Sequence, residues 1–232
     1  MDGMRDPLRA LLQAIRHKSA HLVEHMDSSW LERARLELGL EMARLETTML
    51  SRMLRQVYRL NWPDPGAFSV LAHRIVLLPK AEIHRMLAVA ALWTQRDRVR
   101  LCIANPQRGA LVERIGQSAY ARLLACPSLP QAHRGPLSLD EIRSQGLILL
   151  GARHWVDNIT GWHSQDLLDW LSLAIPPADA PDTHIQVHEG IRLMLDDIPA
   201  LFPEHEWLFG DSMTRSLSIS AMASCPQTIS RG

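Results

Sequence analysis

Apolar side chains return every three or four positions through most of this chain, and prolines and capping residues cut that rhythm into short lengths. Leu8, Leu11, Leu12, Ile15, Leu22, Val23 and Met26 form the first stripe. Asp6-Pro7 precedes it, an N-cap residue followed by a first-turn proline. After Asp27-Ser28-Ser29, the spacing of Ser29 to Glu32 is that of a capping box. It predicts a second helix reaching about Leu60, with Gly39 as its weak point. Asn61-Trp62-Pro63-Asp64-Pro65-Gly66 is a turn that no helix crosses. The dense aliphatics of 67–78 predict a short buried helix, and Pro79 fits the first turn of the next. A helix is expected from Arg96 to an end at Asn105-Pro106, another over 107–115 closed by Gly116, and one from Gln117 to Ala125. Residues 126–136 read as a loop. Ser138 and Glu141 form a second capping-box pair, opening a helix to about Asp157. Ser164 to Ile175 is amphipathic, 176–182 reads as a linker, and a last helix is expected near 184–198.

No Asn-Gly or Asp-Gly turn is flanked by alternating runs, so strands have no signal. The expected fold class is all-α: a single compact helical domain over residues 1–210, built of roughly eight to ten mostly short helices. The Ser-rich segment 211–232 lacks periodicity and is expected to be a disordered tail.

Composition narrows the class further. Of 232 residues, 47% are hydrophobic and 22% charged, an ordinary soluble balance that excludes global disorder and a membrane-spanning protein. The formal net charge of zero argues against a dedicated nucleic-acid binder. Three irregularly spaced cysteines, Cys102, Cys126 and Cys225, make no disulfide framework and fit a reducing cytoplasm. The first 18 residues carry no uninterrupted apolar core and no signal peptide is expected. Only Lys18 and Lys80 are lysine among the 25 cations, an Arg bias expected of a GC-rich bacterial genome. The cations are also unevenly placed: residues 1–150 hold 21 against 14 anions, net +7, and residues 151–232 hold 4 against 11, net −7. Such a split either neutralises itself within the molecule or gives each half a partner of opposite sign.

The sequence lacks phosphate-binding glycine loops, a nucleophile elbow and a His-Glu-x-x-His zinc motif. His17, His21 and His25 lie at i, i+4 and i+8, and His184 and His188 repeat the spacing beside Glu189. Two such histidines can share a metal. No motif ties a third ligand to either pair, so polar faces titrating near pH 6.5 are expected. His163 with Asp166, and Asp196 with Asp197, have nothing to fix an acid–base geometry. Cys102 is expected to pack as a small hydrophobe. Accordingly no catalytic residue, metal, nucleotide or other cofactor is expected. Trp62, Trp93, Trp155 and Trp170 are expected in the core. Trp207, in Glu-His-Glu-Trp-Leu-Phe-Gly, is the best candidate for an exposed partner-binding anchor, although core packing is the favoured reading even there. Arg96, Arg98 and Arg100 form the densest basic cluster. They either bind a partner's carboxylates or phosphates, or form a solvated face with internal ion pairs.

One stretch has a family likeness. Leu77-Leu78-Pro79, a Leu-rich helix, Arg100-Leu101-Cys102-Ile103 and Pro106 come in order. Ile115-Gly116, Tyr120, Leu137, Glu141-Ile142 and Gly146 follow. That order and spacing resembles the SctK family (YscK/HrpB-type) of bacterial type III secretion systems over residues 75–150, while the first 60 residues and the acidic C-terminal third match it only loosely. The resemblance implies a non-enzymatic, all-helical adaptor of the sorting platform at the cytoplasmic face of the inner membrane. It would bridge the cytoplasmic domain of the inner-membrane ring protein, SctD, and the pod protein, SctQ. Nucleic acid and direct membrane insertion are not expected. The runner-up is a small all-α regulatory or DNA-binding protein using the Arg cluster on a recognition helix. A metal-dependent helical enzyme built on the His pairs ranks third.

Overall fold

The computed structural model describes residues 7–39, 45–128, 135–158, 164–177 and 194–210. Among these, 78% are helical and none lies in a strand, so the all-α expectation holds. The expected tail, 211–232, and most of the expected helix 184–198 lie outside the described residues.

The N-terminal stripe forms α1 (Pro7–Ala20) and, after a break at His21, a single turn, α2 (Leu22–His25). α3 (Ser28–Leu38) starts differently from the expected Ser29–Glu32 box. Asp27 is the N-cap, accepting from the Ser29 N–H at 3.0 Å, while its own N–H donates to the Leu173 carbonyl at 2.7 Å. The tertiary bond fixes Asp27 in the extended conformation that a cap requires, and Glu32 is left to pair with Arg35. At Gly39 the chain turns left-handed (φ 61°, ψ 23°) and its N–H closes on the Arg35 carbonyl. A glycine takes that conformation without a Cβ penalty, which ends the helix that was expected to reach Leu60. α4 (Thr47–Val57) is a separate element.

Residues 67–78 also depart from expectation. Two 3-10 helices, Pro65–Ser69 and Leu71–Leu77, replace the buried α-helix. Every residue from Ala72 to Leu77 is buried. Arg74, fully buried among them, donates from Nε to the Phe68 carbonyl (2.8 Å) and from Nη1 to the Leu208 carbonyl (2.8 Å). Its guanidinium satisfies carbonyls inside the core and joins the middle of the chain to the C-terminal turn, which favours the tighter local winding.

Pro79 is the N-cap of α5 (Lys80–Thr94), one position earlier than expected; its carbonyl accepts from Glu82 and Ile83. α6 (Arg96–Arg100) follows. Asn105-Pro106 opens α7 (Asn105–Ile115) instead of closing the helix before it. A proline lacks only an N–H that a first turn leaves unbonded anyway, so it belongs at a start. α8 (Gln117–Ala125) comes next. The Ser138–Glu141 capping box is present, with bonds of 2.8 and 3.1 Å, but it opens only the short α9 (Leu139–Arg143). α10 (Gln145–Asn158) starts afresh after extended Ser144. α11 (Gln165–Leu173), α12 (Ile198–Leu201), a 3-10 turn Pro203–His205 and α13 (Glu206–Phe209) complete the described chain.

α5 and α10 are the central pair. Eight successive residues of α5, Met86 to Trp93, are buried, and the backbone of α10 approaches them at Gly151, where a Cβ would fall on the Leu87 carbonyl. Buried apolar residues from Leu11 to Phe209 form one cluster around this pair. Trp93, Trp155 and Trp170 are all buried in it. The Trp155 indole donates to the Ala72 carbonyl (3.2 Å), and half-buried Trp62 stacks on Trp170 with ring centroids 4.0 Å apart.

Candidate functional site

α6 is five residues long and places its three arginines around one loop. Arg96 turns inward and is only 6% exposed. Its Nε donates to the Pro127 carbonyl (2.6 Å) and its Nη1 to the Trp93 carbonyl (3.1 Å). Burial lowers its pKa from the ordinary guanidinium value. Arg98 donates to the Gly135 carbonyl (3.0 Å), to Gln95 Oε1 (2.9 Å) and to both carboxylate oxygens of Glu141 (2.9 and 3.1 Å). Arg100 donates to Asp97 Oδ1 (2.6 Å) and Ser128 Oγ (3.0 Å). Three side chains thus hold both ends of the 126–136 loop, whose residues 129–134 are outside the described set. Arg96 has no surface to offer a partner, and the carboxylates paired with the other two belong to the basic front of the chain.

Glu141 serves two structures at once. Its carboxylate accepts the Ser138 N–H and both bonds from Arg98. The Ser138 backbone bond, with the Arg98 bond and charge adding to it, holds that carboxyl below its ordinary pKa.

Among the described residues, Arg122 with Asp197 (2.7 Å) and Arg85 with Glu204 pair across the basic front and the acidic back. The second belongs to a cluster that no sequence signal marks. His205 Nε2 lies 3.0 Å from Glu82 Oε2, and Arg85 reaches both Glu82 (3.2 Å) and Glu204. Glu82, Glu204 and His205 have ligand atoms close enough together for a cation. Arg85, also seated over the Phe202 ring at 5.0 Å, already supplies the positive charge there.

Trp207 is 44% exposed, while its neighbours Leu208 and Phe209 are buried. Arg74 bonds the Leu208 carbonyl from inside, so the turn carrying the exposed indole is fixed from below. A cleft of about 340 Å³ opens between Trp93, Arg96, Arg122, Cys126, Asp196 and Asp197. Burial raises the Cys126 thiol pKa, and Asp197 is engaged by Arg122, so neither is set up as a nucleophile or base. Burial likewise raises the Cys102 thiol, which donates to the Arg98 carbonyl as a packed structural group.

The N-terminal histidines differ from the expected solvated face. The His17 and His21 rings stack with centroids 4.5 Å apart, and His25 stands edge-on to His17 at 6.1 Å. His25 is 7% exposed and neither of its ring nitrogens has a hydrogen-bond partner. Burial, then the charges of Lys18, His17 and His21, push its pKa down to about 4 in place of the expected 6.5. Lys18 is itself buried, donates to the Leu78 carbonyl (2.9 Å), and is brought down to about 7. His163, His184, His188 and Glu189 lie outside the described residues.

Residues 5–204 match a family described as bacterial type III secretion protein, HrpB4. The chain belongs to the HrpB4 family. The match extends well to either side of the 75–150 resemblance, so the first 60 residues and most of the acidic third share the HrpB4 relationship. Arg96, Arg98 and Arg100 fall inside the HrpB4 match, and Trp207 lies three residues beyond it. No curated protein and no solved structure matches the chain. No described helix is long and apolar enough to cross a membrane.

Proposed function

We propose that this HrpB4-family protein is a non-enzymatic adaptor of the type III secretion sorting platform. It sits at the cytoplasmic face of the inner membrane and bridges the cytoplasmic domain of the ring protein SctD to the pod protein SctQ. Membership of a type III secretion family over residues 5–204 carries the reading. The arrangement of the site supports it: Arg96, Arg98, Arg100 and Asp197 are engaged in holding loops and turns, and Trp207 presents a held indole to solvent. Trp207 is one docking anchor in this reading, because a held aromatic loses little freedom on binding. The surface at the described loop ends, residues 127–128 and 135–136, is the other, with Arg98 and Arg100 beside them and Arg96 acting through Pro127, which it holds.

Pull-downs with the cytoplasmic domain of SctD and with SctQ test the reading. Both are expected to be captured. Trp207→Ala should weaken one capture, and the double change Arg98→Glu with Arg100→Glu the other, the latter effect fading as salt rises. Failure to capture either protein would refute the bridge.

A further inference from the structure

We propose that His17, His21 and His25 form a site for one divalent transition-metal ion of the zinc class, held by three imidazoles. The helical stripe delivers the three rings to the junction of α1 and α2, with His21 in the break itself (φ −120°, ψ 34°). An ion about 2.0–2.1 Å from each ligating nitrogen, with tetrahedral angles, places neighbouring ring centroids roughly 5 Å apart. The His17–His21 and His17–His25 centroids are 4.5 and 6.1 Å apart, so the rings are near enough to one another for such a site, with His17 and His21 stacked in the metal-free chain.

The hydrogen bonding around the rings points the same way. His21 Nδ1 donates to the His17 carbonyl at 3.1 Å, which leaves the Nε2 lone pair available. His25 is the second observation. It is 7% exposed and both of its ring nitrogens lack a partner. A buried polar group without a partner is unfavourable and uncommon, and coordination gives such a nitrogen an interaction that the surrounding protein does not. Lys18, the cation nearest in sequence, is engaged by the Leu78 carbonyl. His17 is exposed and His21 half-buried. The ligand nitrogens of the three rings do not converge as the side chains stand, His17 and His21 being stacked, so the proposed site requires these two to rotate out of their stack toward His25. The fourth position is open to water, as in other three-histidine sites.

Calorimetric titration of tag-free, full-length protein with zinc chloride tests the site, with absorption of the cobalt(II)-loaded protein as a second readout. One ion per chain is expected, with the intense visible bands of tetrahedral cobalt. His17→Gln and His21→Gln should each weaken binding by about tenfold or more with the metal-free melt unchanged. His25→Leu should remove binding without lowering the metal-free melt. Absence of stoichiometric binding would overturn the proposal. So would zinc binding that survives the His17→Gln, His21→Gln double change, or that is lost instead on Glu204→Gln or on His184→Gln with His188→Gln.

Discussion

Gly151 of α10 lies against the Leu87 carbonyl of α5 so closely that no side chain fits between the two helices. The obstacle is backbone, not the end of a flexible side chain, so it cannot swing aside. Gly151→Ala must push apart the central pair of the core. Overpacking of this kind costs typically 1–3 kcal/mol, and the expected loss is at or above the top of that range. Denaturant unfolding measures it; a loss under about 1 kcal/mol would mean the helices separate without consequence.

The acidic side of the pH profile should be sloped by His84. Its Nε2 donates to the Ala174 carbonyl at 2.6 Å, and burial holds its pKa below 6.5. The unfolded chain therefore binds more protons than the folded one between the folded pKa and 6.5. Stability rises with pH through that window, is complete above it, and is lost as pH falls. Burial lowers His73 in the same direction. Thermal melts from pH 7.5 down to pH 5, in the presence of chelator, should show a falling Tm. His84→Gln should make the slope shallower, the His25 and His73 contributions remaining.

Glu141 acts in the same direction at lower pH. Its folded pKa is depressed, so its contribution is present above the unfolded value and disappears as pH falls through the folded one. Glu141→Ala should cost about 1 kcal/mol through the lost Ser138 N–H bond and up to about 1 kcal/mol more through the exposed Arg98 pair, whereas Glu141→Gln should lose only the second contribution because its amide oxygen still accepts from Ser138. A double-mutant cycle with Arg98→Ala separates the two contributions.

Trp207 and Phe209 are two residues apart and should behave oppositely. Phe209 is 1% exposed and Trp207 is 44% exposed. Phe209→Ala should cost about 3–5 kcal/mol. Trp207→Ala should stay within about 0.5 kcal/mol of the parent. Equal losses would place the indole in the core and remove it as an anchor.

What could be read from the sequence follows from the range of each interaction. Capping and turn chemistry act over three or four residues, and the Ser138–Glu141 box and the turn before Pro65 occur where local spacing places them, whereas Gly39 was legible only as a weak point in a helix expected to reach Leu60. Asn105-Pro106 was legible as a boundary but not as a start, because a proline ends one helix and opens another equally well. The 3-10 winding of 65–77 depends on Arg74 and a carbonyl 134 residues away, and no window reaches that far. The same holds for the Arg cluster. Three alternating cations look free in sequence, and only the returning loop at 126–136 shows where Arg96 goes. The Glu82, Glu204 and His205 group joins positions more than a hundred residues apart and has no local signature. For the His trio, the spacing was visible, while the burial of His25 arises from the core that α2 enters.

Arg74 gives the chain a direction in time. Its guanidinium lies in the middle of the core, and one of its acceptors, the Leu208 carbonyl, is made 134 residues later. While the ribosome still holds that segment, the central helices can gather, but the arginine among them is short of that bond. That bond can form only once the turn that carries Trp207 has left the exit tunnel. A chain cut or stalled before residue 208 would therefore lack one of the acceptors that the Arg74 guanidinium has in the folded core.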